Sequence, residues 1–521
     1  MKRTLMLAEI ETMKGLVWDV IIIGGGATGL GAAVEATTRG YKTLLLEQED
    51  FAKGTSSRST KLIHGGVRYL QQGNLSLVLE ALKERGLLIQ NAPHLVHNLS
   101  FIVPNYSWWS GPFYGIGLKF YDLLAGKLGL GPSEFLSVNE TLDHIPTLEQ
   151  DGLKGGVIYH DGQFDDARLA INLAQTAADN GATLINYFKV NSFIKEQNLI
   201  AGVLATDQIT SKEYELKAKV VINATGVFAD TLIQTDNPKA SKIVSPSQGI
   251  HLVFDRKFLP GESAIMVPQT DDGRVLFAIP WHNKVVVGTT DTAVDAPQLE
   301  PKAQASEIEF ILKHAARYLE EDPTAADVRS VFAGLRPLVK NGNGNSTSAL
   351  SRDHTILVSE SGLLTVTGGK WTTYRRMGED VIDKACLIGG LEEKSSVTST
   401  LRIHGWKENV NLNEPLNCYG ADADEIRTLI KDAPHLSESI HPNLPYIKAE
   451  VIWAIRNEMA ITVEDILARR TRSLFLDAAA AIECSKSIAE LMALELNLNQ
   501  DWINDQVSRF SKVAENYRIN I

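Results

Sequence analysis

The chain has 521 residues, of which 44% are hydrophobic and 22% charged, and a net charge of −12 at pH 7. That length allows a large core divided over two or three domains, which excludes a small binding module, and the composition excludes extended disorder. The acidic balance argues against nucleic acid as a partner, and three scattered cysteines (Cys386, Cys418, Cys484) argue against a disulfide framework or a metal site, so a reducing cytoplasm fits best.

At the N-terminus, Lys2 and Arg3 precede a short apolar stretch, but Glu9 and Glu11 interrupt it before a signal-peptide core forms, so export is not expected. The run from Val17 to Val34 is nearly uncharged, yet Asp19 and the glycines within it fit a buried strand and turn better than a membrane span. Val20-Ile21-Ile22-Ile23 predicts a strand, Gly24-Gly25-Gly26-Ala27-Thr28-Gly29 a turn opening a helix, and Lys42 to Leu46 a second strand closed by Glu47. This is the order a dinucleotide site requires. Gly24 permits the tight turn, Gly26 lets the backbone approach a pyrophosphate, and Gly29 lets the helix lie close on the strand. Glu47 then accepts hydrogen bonds from the adenosine ribose. The fingerprint alone does not separate NAD from FAD.

The polar passage from Thr55 to Leu70 reads as a ligand-facing loop leading into a helical stretch through Leu88. Trp108 to Tyr121 is aromatic and nearly uncharged, which suits an interfacial membrane anchor or a buried segment between domains. A β-like run at Gly155 to Tyr159 is followed by a helix from Asp165 to near Gly181 and a strand at Thr183 to Tyr187. Ala218 to Gly226 is a strand ending in a small-residue turn, as expected for a strand returning to the nucleotide-binding sheet. Strands around residues 251–254, 264–267, 275–279 and 284–288, with turns at Asp272-Gly273 and His282-Asn283, predict an antiparallel meander on the substrate side. Asn341 to Ser346 reads as an exposed loop, and Leu363 to Thr373 as a strand breaking into a helix through the 380s. From about residue 420 the apolar spacing is helical, with Thr462 and Asp465 placed like a helix cap.

Several of these segments match one family in order: Gly24 to Glu47, Ser56 to Leu70, Asp165 to Leu169, Val221 to Gly226, Gly288 to Asp291, Gly334 to Leu338 and Gly368 to Arg375. The chain resembles FAD-dependent glycerol-3-phosphate dehydrogenase, within the D-amino-acid-oxidase-like flavoproteins, over most of residues 19 to 376. Ala468-Arg469-Arg470-Thr471-Arg472 extends the likeness into the C-terminal part. The resemblance implies an α/β fold: a Rossmann-like FAD-binding domain (segments near 15–90, 150–230 and 350–395) interrupted by an antiparallel β-sheet substrate domain (near 91–149 and 231–349). A C-terminal helical domain at 401–521 follows. It further implies that sn-glycerol 3-phosphate is oxidised to dihydroxyacetone phosphate by hydride transfer to FAD, with electrons passed on to a respiratory quinone. An oxidase branch has the same site but passes electrons to oxygen and releases hydrogen peroxide; its members carry an insertion that this shorter chain lacks. Peripheral contact with the cytoplasmic face of a membrane and a homodimer are the associations expected.

The same resemblance assigns residues. Arg68, Arg336, Arg352 and Lys370 supply the cations that hold a phosphorylated substrate, and Tyr69 hydrogen-bonds it. His251, with an ordinary pKa near 6.5, is the candidate base or polariser of the C2 hydroxyl, and Arg336 stabilises the developing alkoxide. Ser56, Ser57 and Lys61 are candidate pyrophosphate and ribityl partners, His64-Gly65-Gly66 passes near the isoalloxazine, and Val190 meets the adenine. Ala224 and Gly226 border the cofactor. The amides of Gly368 and Gly369, with Lys370 and Thr372 at the following helix start, face the flavin's N1 and O2.

Overall fold

Val20, Ile21, Ile22, Leu44, Leu45 and Leu46 are wholly inaccessible to solvent, a state strands reach only in a parallel sheet covered on both faces. The computed structural model, which describes residues 1–66, 74–107, 110–268, 270–339 and 354–519, builds that sheet around Val17–Ile23. The strand pairs in parallel with Thr43–Leu46 on one side and Glu213–Asn223 on the other. Leu364–Gly368 then adds in parallel beyond Glu213–Asn223, and His354–Val358 closes the edge antiparallel. The strand expected to return near residue 220 therefore lies directly beside the first. Helix Ala27–Thr38 packs between Asp166–Asp179 and Tyr374–Gly389 over this sheet. Burial of each large aliphatic side chain here contributes about 1.5–3 kcal/mol as an upper bound.

The second sheet runs in the order Thr292–Ala293, Val244–Asp255, Lys284–Gly288, Leu276–Trp281, Ala264–Val267, Val96–Pro104, Gly156–Phe164 and Leu62–Ile63. Ser330–Val339 pairs with the far side of Val244–Asp255 over ten positions. The expected meander holds for the three strands between Ala264 and Gly288, where His282 and Asn283 take positive φ values of 44° and 58° in a two-residue turn. Two features differ from the sequence reading. Val244–Asp255 pairs with Lys284–Gly288 rather than with the next strand in the chain, because Arg256–Phe258 carries the backbone across the sheet. Ala264–Val267 also runs parallel to Val96–Pro104, so the sheet is mixed. Leu62–Ile63 and Gly156–Phe164, expected within the FAD-binding segments, belong here as well, since the latter pairs with Val96–Pro104 along its whole length.

The C-terminal region is helical, with Ala423–Asp432, Lys448–Asn457, Ala478–Leu496 and Gln500–Ala514 as its main elements. Its core residues Ile466, Leu474 and Phe475 are continuous with Val253, Trp281 and Phe332 of the second sheet. Thr462 and Asp465 do form a cap: the Asp465 carboxylate accepts from the Ile461 and Thr462 amides, and the Asp465 amide donates back to Thr462 Oγ1. The π-helical turn Asp465–Arg470 follows. In the aromatic segment, Ser110–Ala125 is a helix with Leu118 and Tyr121 buried and Phe120 and Leu123 exposed. Trp108, Trp109 and the Asn341 to Ser346 loop lie outside the described residues. Among the described residues, no helix is long and apolar enough to cross a membrane.

Candidate active site

A cavity of about 540 Å³ lies between the two sheets, within the range of small-molecule sites. One end is built by the glycine turn. Gly24 has φ of 113°, and a Cβ there would sit 2.6 Å from the Ala224 carbonyl oxygen. A Cβ on Gly29 would come within 1.9 Å of the Gly24 carbonyl oxygen, so any side chain would force the helix off the strand. Gly26, Ala27 and Thr28 consequently open the N-terminal end of helix Ala27–Thr38 onto the cavity, with the Ala27 amide donating to Ser56 Oγ at 2.9 Å. Glu47 lines the same end. Its carboxylate accepts from the Gly25 amide at 2.6 Å and the Glu49 amide at 2.8 Å, yet burial pushes it up to about 7. Val190 lies on the wall nearby, and Ala224 and Gly226 line the middle.

The other end is formed by Gly368, Gly369, Lys370 and Thr372, the two glycines at φ 84° and 73°. This turn is stitched to the 56–64 loop: Trp371 Nε1 donates to the Ser56 carbonyl at 2.9 Å, and Thr372 Oγ1 to the His64 carbonyl at 3.2 Å. His64 lines the cavity as well. A cavity lined by helix-start amides and by a second glycine turn fits a dinucleotide. The missing Cβ atoms are where its backbone approach requires them.

Between the ends, Val244–Asp255 and Ser330–Val339 bring His251 and Arg336 onto the cavity wall. Their register sets Arg336 opposite Ser247. A Cβ on Gly249 would lie 2.4 Å from Arg336 Nη2, so the glycine leaves room for the guanidinium. Arg336 Nη2 donates to Thr289 Oγ1 at 3.2 Å and to the Thr290 carbonyl at 3.0 Å, and Nη1 meets Asp291 Oδ1 at 3.5 Å. The His251 ring stacks on Phe332 with centroids 4.7 Å apart, and its Nε2 shares a hydrogen bond with Thr60 Oγ1 at 2.9 Å. Burial, then the Lys61 and Arg336 charges, hold His251 well below its ordinary value. The expectation of a histidine titrating near 6.5 is thereby corrected. At neutral pH the ring is an uncharged imidazole, able to donate from one nitrogen and accept at the other.

The assignment of Lys61 is also corrected, and three further residues lie off the cavity wall. Ser57, Lys61, Gly65 and Gly66 are not on the cavity wall. The Lys61 ammonium is fully buried against Asp166 Oδ2 at 2.7 Å and the Ser57 carbonyl at 2.9 Å, and it lies 5.0 Å from the centre of the Phe332 ring. The interior carboxylate, not a cofactor phosphate, sets its direction. Ser57 is buried, and its carbonyl also accepts from Arg472 Nη2 at 2.7 Å. A Cβ on Gly65 would lie 2.3 Å from the Tyr121 hydroxyl, so this glycine turns toward a helix contact. Gly66 has φ of 80° just beyond it. Arg68, Tyr69 and Arg352 lie outside the described residues.

The structure also gives partners to residues for which the sequence reading named no role. Thr60 touches His251, and Asp166 collects the Ser59 hydroxyl, Lys61 and Arg472. The Arg469–Arg470–Arg472 cluster reaches back to the nucleotide-binding sheet: Asp50 pairs with Arg469 at 2.5 Å and Arg470 at 2.6 Å. Arg168 makes a bidentate pair with Glu458 at 2.6 and 2.7 Å. The available signal was three arginines inside an otherwise apolar helical stretch, which is unusual unless they are paired in the interior.

Residues 19–375 match the family model of FAD-dependent oxidoreductases, and residues 381–502 match the C-terminal domain of alpha-glycerophosphate oxidase. The mitochondrial glycerol-3-phosphate dehydrogenase of Bos taurus is 41% identical, across 94% of this chain and 72% of that protein. The corresponding Arabidopsis thaliana protein is 37% identical, across 96% and 86%. The glycerol-3-phosphate dehydrogenase of Bacillus halodurans, solved with FAD, superimposes with a TM-score of 0.77 at 29% identity, covering 98% of this chain and 96% of that one. An L-alpha-glycerophosphate oxidase of Mycoplasma pneumoniae shares the fold, with a TM-score of 0.55 at 18% identity over 74% of this chain and 98% of that one. By the extent and identity of these matches, the chain belongs to the FAD-dependent glycerol-3-phosphate dehydrogenases, and its cofactor is FAD.

Proposed function

We propose that this protein oxidises sn-glycerol 3-phosphate at C2 to dihydroxyacetone phosphate and passes the electrons to a respiratory quinone, in peripheral contact with the cytoplasmic face of a membrane. The observation that carries the substrate reading is that His251, Arg336 and Lys370 all line the cavity that the glycine-rich cradle opens onto. Bound FAD supplies the hydride acceptor, which no side chain can provide. The Gly26 to Thr28 amides and Ser56 suit its diphosphate, Glu47 and Val190 its adenosine end, and Gly368 to Thr372 its flavin end. Arg336 and Lys370 offer the positive charge that a phosphorylated substrate and a developing alkoxide both require. His251 accepts the hydroxyl proton at an imidazole nitrogen. A base held below its ordinary value by burial and two cations passes that proton on rather than keeping it.

The quinone and membrane reading draws on exposed apolar side chains of two helices that pack together: Leu75 and Leu79 on Leu75–Asn91, and Phe120 and Leu123 on Ser110–Ala125. Leu123 is 74% exposed. A second reading, oxygen as acceptor, is favoured by the oxidase for which the C-terminal family model is named. Anaerobic addition of glycerol 3-phosphate is expected to bleach the flavin; persistent colour overturns the substrate reading. A quinone analogue is then expected to restore the colour faster than air, whereas rapid stoichiometric peroxide selects the oxidase.

A further inference from the structure

Glu307 is buried in the first turn of helix Ala305–Ala316, and its carboxylate is fully engaged. Oε1 accepts from Thr290 Oγ1 and Thr292 Oγ1, each at 2.8 Å; Oε2 accepts from Gln248 Nε2 at 2.7 Å and from the Gln304 amide at 3.0 Å. All four donors are uncharged, so this carboxylate does more than neutralise a neighbour. Three of them come from the segments that frame the active site. Gln248 precedes Gly249 on the strand carrying His251, while Thr290 and Thr292 flank Asp291.

That short 289–292 segment is gripped twice. Arg336 takes its Thr289 hydroxyl, its Thr290 carbonyl and the Asp291 carboxylate, and Ser247 Oγ donates to Asp291 as well. Glu307 takes the Thr290 and Thr292 hydroxyls. Thr290 Oγ1 also accepts from the Ile250 amide at 3.1 Å, which ties the same hydroxyl to the residue before His251. Of the acceptors the guanidinium uses here, the Thr290 carbonyl belongs to a residue that Glu307 holds, and Asp291 lies between the two threonines it holds.

We propose that Glu307 is a positioning residue for Arg336: by holding Thr290 and Thr292, it fixes the acceptors that aim the guanidinium into the cavity. It makes no contact with substrate in this role. The inference rests on the reading of Arg336 as a substrate-site cation.

The test uses the FAD-loaded enzyme with glycerol 3-phosphate. E307A is expected to lose about 10- to 100-fold in kcat/KM while flavin content is retained, as a displaced orienting group does. R336A alone is expected to lose about 100- to 1,000-fold, and E307A is expected to add nothing to R336A in the double variant. A purely structural carboxylate would instead give additive losses. E307Q is expected to recover most of the activity, because its carboxamide oxygen still accepts from Gln248 and Gln304 and the threonine hydroxyls can turn to accept. Should E307A fail to fold, T292V removes a single donor and carries the same double-variant comparison with a smaller loss. Wild-type kinetics in E307A and T292V, or losses that add to R336A, overturn the proposal. Wild-type kinetics in R336A overturn the reading of Arg336 itself and this inference with it.

Discussion

Replacing Asp50 by Asn removes a charge from the junction between the nucleotide-binding sheet and the C-terminal helices without changing the side chain's shape. Asp50 is wholly buried, and its two oxygens accept from Arg469 Nε at 2.5 Å, Arg470 Nη1 at 2.6 Å, Arg470 Nη2 at 2.9 Å and Asn186 Nδ2 at 3.2 Å. Burial alone would raise its pKa, but the Arg470 and Arg469 charges override that and hold the carboxyl well below the usual range. Removing one partner of a buried pair costs about 3–5 kcal/mol, because the charge left behind is uncompensated. Arg469 keeps Glu464 and Asp465 at 2.8 Å, and Arg470 keeps Glu458 at 3.6 Å, so the lower end, about 3 kcal/mol, applies. An unfolding entropy of about 2.1 cal/mol/K per residue converts this to about 3 °C in Tm if all 521 residues unfold together. If the last roughly 120 residues unfold on their own, the same loss lowers that transition by about 12 °C. Differential scanning calorimetry of D50N therefore reads both the size of the effect and the cooperativity of the junction. Asp505, in an exposed pair with Arg509, provides the control, since D505N is expected to change stability by less than about 0.5 kcal/mol. A D50N transition within about 1 °C of wild type in every peak would refute the argument.

Three further outcomes are expected. G29A should abolish flavin retention, measured as visible absorbance of the purified protein, because its Cβ would collide with the Gly24 carbonyl at 1.9 Å; a yellow G29A protein contradicts this. For His251, held well below 6.5, kcat/KM should fall only as pH drops through that depressed value and protonates the imidazole, so an acid limb centred at or above 6.5 would remove the buried, neutral base. Burial works against a charged His404, but Asp179 at 2.6 Å and Asp422 at 2.9 Å on its two ring nitrogens raise it to about 9. Its contribution, discounted for partial exposure to about 1–2 kcal/mol, is complete below pH 6.5 and vanishes as pH rises through 9; thermal melts of H404Q that differ from wild type equally at pH 6 and pH 10 would disprove it.

Much of the nucleotide-binding half was legible because its signals are local. The turn from Gly24 to Gly29, the acid at Glu47 and the strand near residue 220 each follow from short-range spacing and uninterrupted apolar runs, and Gly368 to Thr372 from a strand that breaks at two glycines. Contacts between distant segments were not legible. Lys61 sits in a motif whose neighbours Ser56 and His64 line the cavity, yet its side chain is directed by Asp166, which also pairs with Arg472, from elements far along the chain. The titration of His251 likewise depends on burial and on the Lys61 and Arg336 charges, none of which its own strand reveals. The partnership of Val96–Pro104 with Ala264–Val267 is parallel and remote, the kind of pairing that side-chain alternation does not encode.

The cavity wall is assembled from both ends of a long stretch of chain, and this bears on the timing of biosynthesis. Val17–Ile23 leaves the ribosome with Thr43–Leu46 close behind, but its other neighbour, Glu213–Asn223, follows much later, and the closing turn at Gly368 comes only after the second sheet has been made. At ordinary elongation rates the interval between Gly29 and Thr372 is on the order of half a minute. Until Glu213–Asn223 emerges, the first strand presents an unpaired apolar edge of the kind that invites misassociation. Cofactor capture is therefore a late event in the life of each nascent chain. A ribosome stalled after the first strand and helix but short of Gly368 holds a polypeptide with the phosphate-binding glycines already made and no flavin site to which they belong.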